Sequence, residues 1–366
     1  MRYPEFLKDG GTIGFVAPSF GCTFEPYISR FENARKTFRD MGYKLDVGPN
    51  CDKAEGIGIS NRPEKCGREL NDYYKSSQND VLMSVGGGEL MDEVVPFIDF
   101  EAVKKFKPKW YIGYSDNTNF IFPSVTIADT AAIYAPCAGD FGMETWHPAV
   151  TDAFDLITGK KLTFNSYDKW ELELPENPDD LCSYYVTEQN RMKAYLPSGK
   201  PCNDIHASIV STKEDVIDGK DVNSEVQIQG RLLGGCLDCL ANLVGTPYDN
   251  TKAFAEKYKD DGIIWFLEAC DLNVYSIRRS LWNLREAGWF NYVKGFLIGR
   301  PGAAFGQEMF GLDQYNAVID ILGQFGVPIL MDLDIGHHPP MIPMLCGAYA
   351  KAKFKDNSFT ITYELR

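Results

Sequence analysis

A serine on a turn between an apolar strand and a helix is placed to act as a nucleophile, and Gly113-Tyr-Ser-Asp-Asn117 reads as such a turn. The run before it, Trp110-Tyr-Ile-Gly-Tyr114, has the aromatic and branched content of a strand, and a helical stretch starts at Asn117. A turn of this kind lifts Ser115 clear of the sheet and brings the free N–H groups of a helix start beside it. Such donors can hold the oxyanion of a tetrahedral intermediate. The G-x-S-x-G elbow pattern is half met, because Asn117 stands where the second glycine would be. The other reading of the same residues is helix capping by Ser115 or Asp116.

Three further strand ends carry residues with chemistry. Gly86-Gly-Gly88 closes the buried run Asp80–Val85. Glycines there let the backbone approach a ligand and present its N–H groups. No Lys-Ser or Lys-Thr follows, and the spacing is not that of a dinucleotide site, so the remaining alternative is a tight turn. Glu268 directly follows the apolar run Gly262–Leu267. A carboxylate beside a buried strand needs a partner, and ligands of open α/β sheets collect at the carboxyl ends of strands. A structural ion pair with Arg278 or Arg279 is the competing account. Asp334-Ile-Gly-His337-His-Pro-Pro340 follows a strand as a loop, and its adjacent histidines point different ways. Together the serine, the glutamate and one histidine supply a nucleophile, an orienting acid and a general base. A serine hydroxyl is a feeble nucleophile until a base takes its proton. The carboxylate fixes the imidazole tautomer and stabilises the imidazolium.

Metal and redox chemistry have less support. The chain has four His, at 147, 206, 337 and 338, and two adjacent His without a third ligand make a poor zinc site. Cys236-Leu-Asp-Cys239 is a single C-x-x-C with no second pair, and reads as structural.

The elements that must position these residues alternate. Strands over Thr12–Ala17, Lys44–Val47, Asp80–Val85, Trp110–Tyr114 and Ala131–Tyr134 are separated by helices near 26–41, 63–75 and from Asn117. That order predicts a parallel sheet covered on both faces. From about 165 to 229 the chain is polar, with few periodicities, and reads as linker and small strands. Regular signals resume at Arg231, where Leu232-Leu-Gly-Gly235 leads into a helix over 237–245. Strands at Gly262–Leu267, Lys294–Gly299 and Val327–Met331 alternate with helices at Ile277–Ala287 and Gln314–Phe325. The tail alternates like an antiparallel hairpin, Ala348–Phe354 with Phe359–Tyr363. The expected fold is α/β: an N-terminal parallel sheet flanked by helices (1–160), a pocket or linker segment (161–230), and a mixed α/β C-terminal domain (231–366).

The chain's 366 residues carry 51 acidic and 37 basic side chains, a formal net charge of −14. That field repels phosphate backbones and anionic membranes, so neither nucleic acid nor membrane is expected as a partner. The opening Met1-Arg-Tyr-Pro-Glu-Phe6 is too polar for a signal peptide. Ten scattered Cys are then expected as reduced thiols in a cytoplasmic protein.

These residues also carry a resemblance. Thr12-Ile-Gly-Phe-Val-Ala-Pro-Ser19, Gly86–Gly88, Gly113-Tyr-Ser-Asp-Asn-Thr118 and Leu232-Leu-Gly-Gly235 occur in that order. Gly245-Thr-Pro-Tyr248, Trp265-Phe-Leu-Glu268, the Arg279 stretch and Gly336-His337 follow. The sequence resembles the LD-carboxypeptidases, serine peptidases that include muramoyltetrapeptide carboxypeptidases and microcin C immunity proteins. The resemblance implies a Ser115–Glu268–His337 triad, with an oxyanion hole of backbone amides at Gly87 or Gly88 and at Asp116. It implies two domains, a homodimer and no metal or organic cofactor. Cys236 stands where the family usually has an Asn near the substrate pocket, and Ala269 where an acidic residue is common, so Cys236 bears on substrate choice. The expected substrate is a small peptide cleaved at the L,D bond before a terminal D-Ala of a murein tetrapeptide. The alternative is a peptidyl or aminoacyl nucleotide, on whose base Trp170, Tyr184 or Tyr185 could stack. A non-catalytic binding module on the same fold is the alternative of another class.

Overall fold

A computed structural model describes residues 1–176, 178–196, 216–218 and 225–366. Cys202 and His206, and with them most of the polar stretch between 197 and 224, lie outside the described residues. The chain forms two compact units: residues 1–162, 173–185 and 341–347 make the first, and residues 163–172, 186–340 and 348–366 the second.

The first unit is built on a six-stranded sheet in the order 344–346, 132–134, 111–113, 81–84, 12–16, 44–47. All neighbours run parallel except the first pair. Its inner strands are fully buried over Val81–Ser84, Tyr111–Gly113 and Ala132–Tyr134, as expected for a sheet with helices on both faces. The helix Tyr27–Asp40 buries Phe31, Ala34 and Phe38 at helical spacing. Phe38 meets Phe141 and Phe154 at ring separations of 5.4 and 5.9 Å. The helix Pro63–Lys75 starts on a proline, whose fixed φ suits a first helical position, and buries Cys66, Leu70 and Tyr74.

The second unit holds a nine-stranded mixed sheet in the order 216–218, 193–195, 329–333, 293–299, 263–268, 226–236, 349–355, 358–364, 163–165. Its parallel centre is 329–333, 293–299, 263–268 and 226–236. The final hairpin, Tyr349–Lys355 with Ser358–Glu364, alternates buried and exposed residues. It turns through Asp356 and Asn357, both at positive φ, the backbone that matches strand twist in a two-residue turn.

The α/β class follows the sequence pattern, and two elements go beyond it. Leu232–Gly235 leads into the helix Leu237–Leu243 as expected, and it does so as the end of an eleven-residue strand, Val226–Cys236. Gly234 and Gly235 hide that strand from a propensity reading, because side-chain-free residues look like turn. Gly234 is required there, since a Cβ on it would stand 1.7 Å from the Phe266 carbonyl oxygen. The strand Met344–Cys346 joins the edge of the first unit's sheet from far along the chain, which no local pattern could announce. Among the described residues no helix is long and apolar enough to cross a membrane.

Candidate active site

In the first unit the structure brings Ser115, Asp116, Gly87 and Gly88 together. The strand Tyr111–Gly113 ends, and Ser115 takes φ +62°, a left-handed conformation that costs a non-glycine residue about 1 kcal/mol or more. Its amide donates to the Tyr134 hydroxyl at 2.9 Å. One turn of tight helix, Ser115–Asn117, leads into the buried helix Thr118–Thr126. The N-cap residues of these two helical segments, Tyr114 and Asn117, make no side-chain cap bond. The glycine turn lies against the serine: a Cβ on Gly87 would stand 3.1 Å from Ser115 Cβ and 3.4 Å from its Oγ. Gly88 has φ +156°, and a Cβ there would meet Ser19 Oγ at 2.0 Å, so this position needs glycine on both grounds.

In the second unit the structure brings Glu268 and His337 together. Glu268 is the last residue of the strand Ile263–Glu268 and is 2 % exposed. Its Oε2 lies 2.8 Å from His337 Nδ1. With a carboxylate acceptor there, the ring proton sits on Nδ1. Burial by itself would lower the His337 pKa; the Glu268 charge, together with hydrogen bonds to Glu268 and with Cys270, overrides it and holds the imidazole well above its ordinary range. The approach depends on Gly336, at φ +104°, where a Cβ would fall 2.6 Å from Glu268 Oε2. The arginines weighed as partners for Glu268 are engaged elsewhere. Arg278 pairs with Asp320 at 2.7 Å, and Arg279 donates to Ser276 at 3.0 Å.

The two histidines divide as their adjacency requires. His338 does not join Glu268; its ring packs edge-on against Trp170 and Phe305, with centroids 5.2 and 5.7 Å away. Trp170 is 5 % exposed, and the Arg300 guanidinium sits 4.8 Å from its ring centroid. Tyr184 donates to Asp140 at 3.1 Å, while Tyr185 is exposed. Cys236 is the register partner of Glu268 in the neighbouring strand, is buried, and lies 3.3 Å from Asp238 Oδ2. Its hydrogen bond with Cys239, burial and the Glu268 charge push its thiol pKa well up, so it stays neutral. All nine described cysteines are free thiols. Among the described residues no three His, Cys, Asp or Glu side chains are grouped to hold a metal ion.

One part of the second unit escaped the sequence reading. Arg300 follows the apolar strand Val293–Gly299 as Glu268 follows its own strand, so the same signal was available. Arg300 is buried, donates to the Asp332 carbonyl at 2.8 Å, and pairs with Asp334, which is wholly buried. Asp334 also accepts from the Tyr167 amide at 2.8 Å and from Asn190. It lies three residues before His337, so the pair anchors the loop that carries the imidazole. Removing one partner of a buried ion pair strands the other charge. Arg300→Met is therefore expected to cost about 3–5 kcal/mol in urea unfolding at pH 7. Burial already raises the Asp334 pKa against the pull of Arg300. The loss should shrink toward pH 5, where Asp334 takes up a proton more readily; a loss independent of pH would contradict a stranded carboxylate.

The LD-carboxypeptidase N-terminal domain matches residues 13–135, and the LD-carboxypeptidase C-terminal domain matches residues 229–352. A Vibrio cholerae protein that carries a carboxypeptidase name is 25 % identical over 99 % of this chain and 98 % of its own. The microcin C7 self-immunity protein of Escherichia coli is 23 % identical over 97 % of this chain and 94 % of its own. A solved structure of the microcin C7 self-immunity protein with aspartyl sulfamoyl adenosine superposes with a TM-score of 0.76 at 20 % identity, covering 100 % of this chain and 99 % of that one. A second, with glutamyl sulfamoyl guanosine, gives 0.74 at 20 % identity, over 99 % and 98 %. At such identities these structures establish the shared fold.

Proposed function

Since the chain belongs to the LD-carboxypeptidase family and is a serine-type carboxypeptidase by that membership, we propose that Ser115 is its nucleophile, His337 its general base and Glu268 the acid that orients His337. The observation that carries the reading is the 2.8 Å bond from Glu268 to His337 Nδ1, which leaves Nε2 as the basic nitrogen. In this mechanism His337 takes the Ser115 proton as Oγ attacks the scissile carbonyl. The amides of Asp116 and of Gly87 or Gly88 receive the oxyanion. The imidazolium then protonates the leaving amine, and water hydrolyses the acyl-serine ester by the same steps in reverse. Every proton transfer returns to His337, so the cycle needs no cofactor.

The substrate we favour is a murein tetrapeptide, cut before its terminal D-Ala. A Bacillus subtilis relative, 23 % identical over 95 % of this chain, is named for murein peptide carboxypeptidase activity, which supports this choice. The second reading, an aminoacyl or peptidyl nucleotide, is supported by the sulfamoyl nucleosides bound to the structural neighbours. Burial of Trp170 between His338, Phe305 and Arg300 speaks against that ring as the base-stacking surface. We take the enzyme to be a cytoplasmic homodimer, on its free thiols, acidic composition and family resemblance.

Mass spectrometry of the purified protein with a murein tetrapeptide, beside Ser115→Ala, tests the reading. Release of D-Ala by the wild type alone is the expected result. Failure on the tetrapeptide with cleavage of an aminoacyl nucleotide would shift the substrate to the second reading. Inertness to both, with no serine labelling, would leave a binding module.

A further inference from the structure

The glycine turn can serve as an oxyanion hole only if its N–H groups are held in one direction, and the side chains next to Ser115 are arranged to do that. The Gly86 carbonyl accepts from Asn117 Nδ2 at 3.0 Å and from Ser84 Oγ at 2.8 Å. The Gly87 carbonyl accepts from the Phe20 amide at 3.0 Å. In a planar trans peptide the N–H points opposite to the C=O. Fixing these two carbonyls therefore turns the Gly87 and Gly88 N–H groups away from the packed side of the turn. Asn117 also donates to the Tyr114 carbonyl at 2.9 Å, so one amide group ties the glycine turn to the serine's own peptide.

Asp116 closes the arrangement. Its Oδ2 accepts from Ser19 Oγ at 2.5 Å, beside Phe20, and from the Met91 amide at 2.9 Å, beyond the glycines. Its Oδ1 accepts from Asn119 at 3.0 Å. Ser19, Asp116 and Asn117 are buried. The segments flanking the glycine turn on both sides are thus held by the carboxylate of the residue that follows the serine. We propose that the Asp116 carboxylate, with Asn117, is a positioning group: it sets the glycine-turn amides against Ser115 and so preorganises the oxyanion hole. The inference rests on Ser115 being the nucleophile.

The test is the rate of Ser115 labelling by a fluorophosphonate, which requires no knowledge of the natural substrate because the oxyanion hole also stabilises phosphonylation. Removing a single oxyanion donor costs about 10²–10³-fold. Asp116→Ala should slow labelling on the order of 10²-fold. Asp116→Asn keeps the shape and one acceptor oxygen for Ser19 and Met91, and should restore the rate to within about tenfold of wild type. Should Asp116→Ala not fold, Ser19→Ala, which removes one arm of the latch, is expected to slow labelling roughly five- to tenfold. A purely structural role would lower the fraction of protein that can be labelled and the melting temperature, but not the rate of the folded fraction. That outcome overturns the inference and leaves Ser115 in place. A folded wild type that takes no label at Ser115 overturns the reading of the nucleophile and this inference with it.

Discussion

Ser115→Ala is expected to lower kcat by about 10⁶-fold, the scale of removing the nucleophile from a serine triad. The loss is chemical. Alanine accepts the same left-handed φ of +62° that serine already adopts, so the substitution adds no backbone strain. The Ser115 amide keeps its bond to Tyr134, and the glycine turn gains no clash from a smaller side chain. The melting temperature should therefore stay close to wild type while turnover collapses and phosphonate labelling vanishes. A residual rate some 10³-fold above water is still expected from an intact oxyanion hole and substrate binding. Activity within about tenfold of wild type would place the nucleophile elsewhere.

The residues of the candidate site differ in how far the sequence announces them, and the difference follows the range of the interaction. Ser115 is announced locally, because an apolar strand, a turn and a helix fall within a dozen residues and their backbone makes the elbow. Glu268 is announced as a charge at the end of an apolar run, but its partner is not. Arg278 and Arg279 are near in sequence, yet helix Val274–Glu286 turns Arg278 toward Asp320. His337 is chosen because parallel pairing of 263–268 with 293–299, and of 293–299 with 329–333, aligns the carboxyl ends of those strands. Register of this kind is set by the whole sheet, and a single sequence does not display it.

Asp116 shows a second kind of limit. Its type and position suggested a helix cap, a local role. Besides the local Asn119, it holds Ser19 and Met91, which lie 97 and 25 residues away. The same holds for Arg300 with Asp334, where a buried charge was visible but its counter-charge was not. What was legible of the fold was likewise what is written in short periodic runs. The end of the strand Val226–Cys236 carries no strand signal, because Gly234 serves a tertiary contact with Phe266.

Glu268→Gln is expected to lower kcat about 10⁴-fold, as when the acid of a triad is replaced by its amide. A glutamine side chain can donate a hydrogen bond to Nδ1, which favours the tautomer with the proton on Nε2 and blocks that nitrogen as a base. The variant should also move the pH profile. Catalysis requires neutral His337, and the Glu268 charge holds its pKa well above the ordinary range despite burial. In the wild type, the labelling rate should therefore rise with pH through a limb above about 6.5, the unperturbed histidine value. In Glu268→Gln that charge is gone, burial then dominates, and the limb should shift to lower pH. The linkage to stability has a definite sign. A raised folded-state pKa contributes stability that is fully present below the unfolded value and is lost as pH rises through the folded one. Wild-type stability should thus carry a component that declines toward alkaline pH, and the Gln variant should lack it. His338→Ala is the control, because His338 packs on Trp170 and Phe305 rather than on Glu268. It should leave the limb in place and cost only stability. An acid limb that stays put in Glu268→Gln but moves in His338→Ala would exchange the roles of the two histidines, against the 2.8 Å bond between Glu268 and His337.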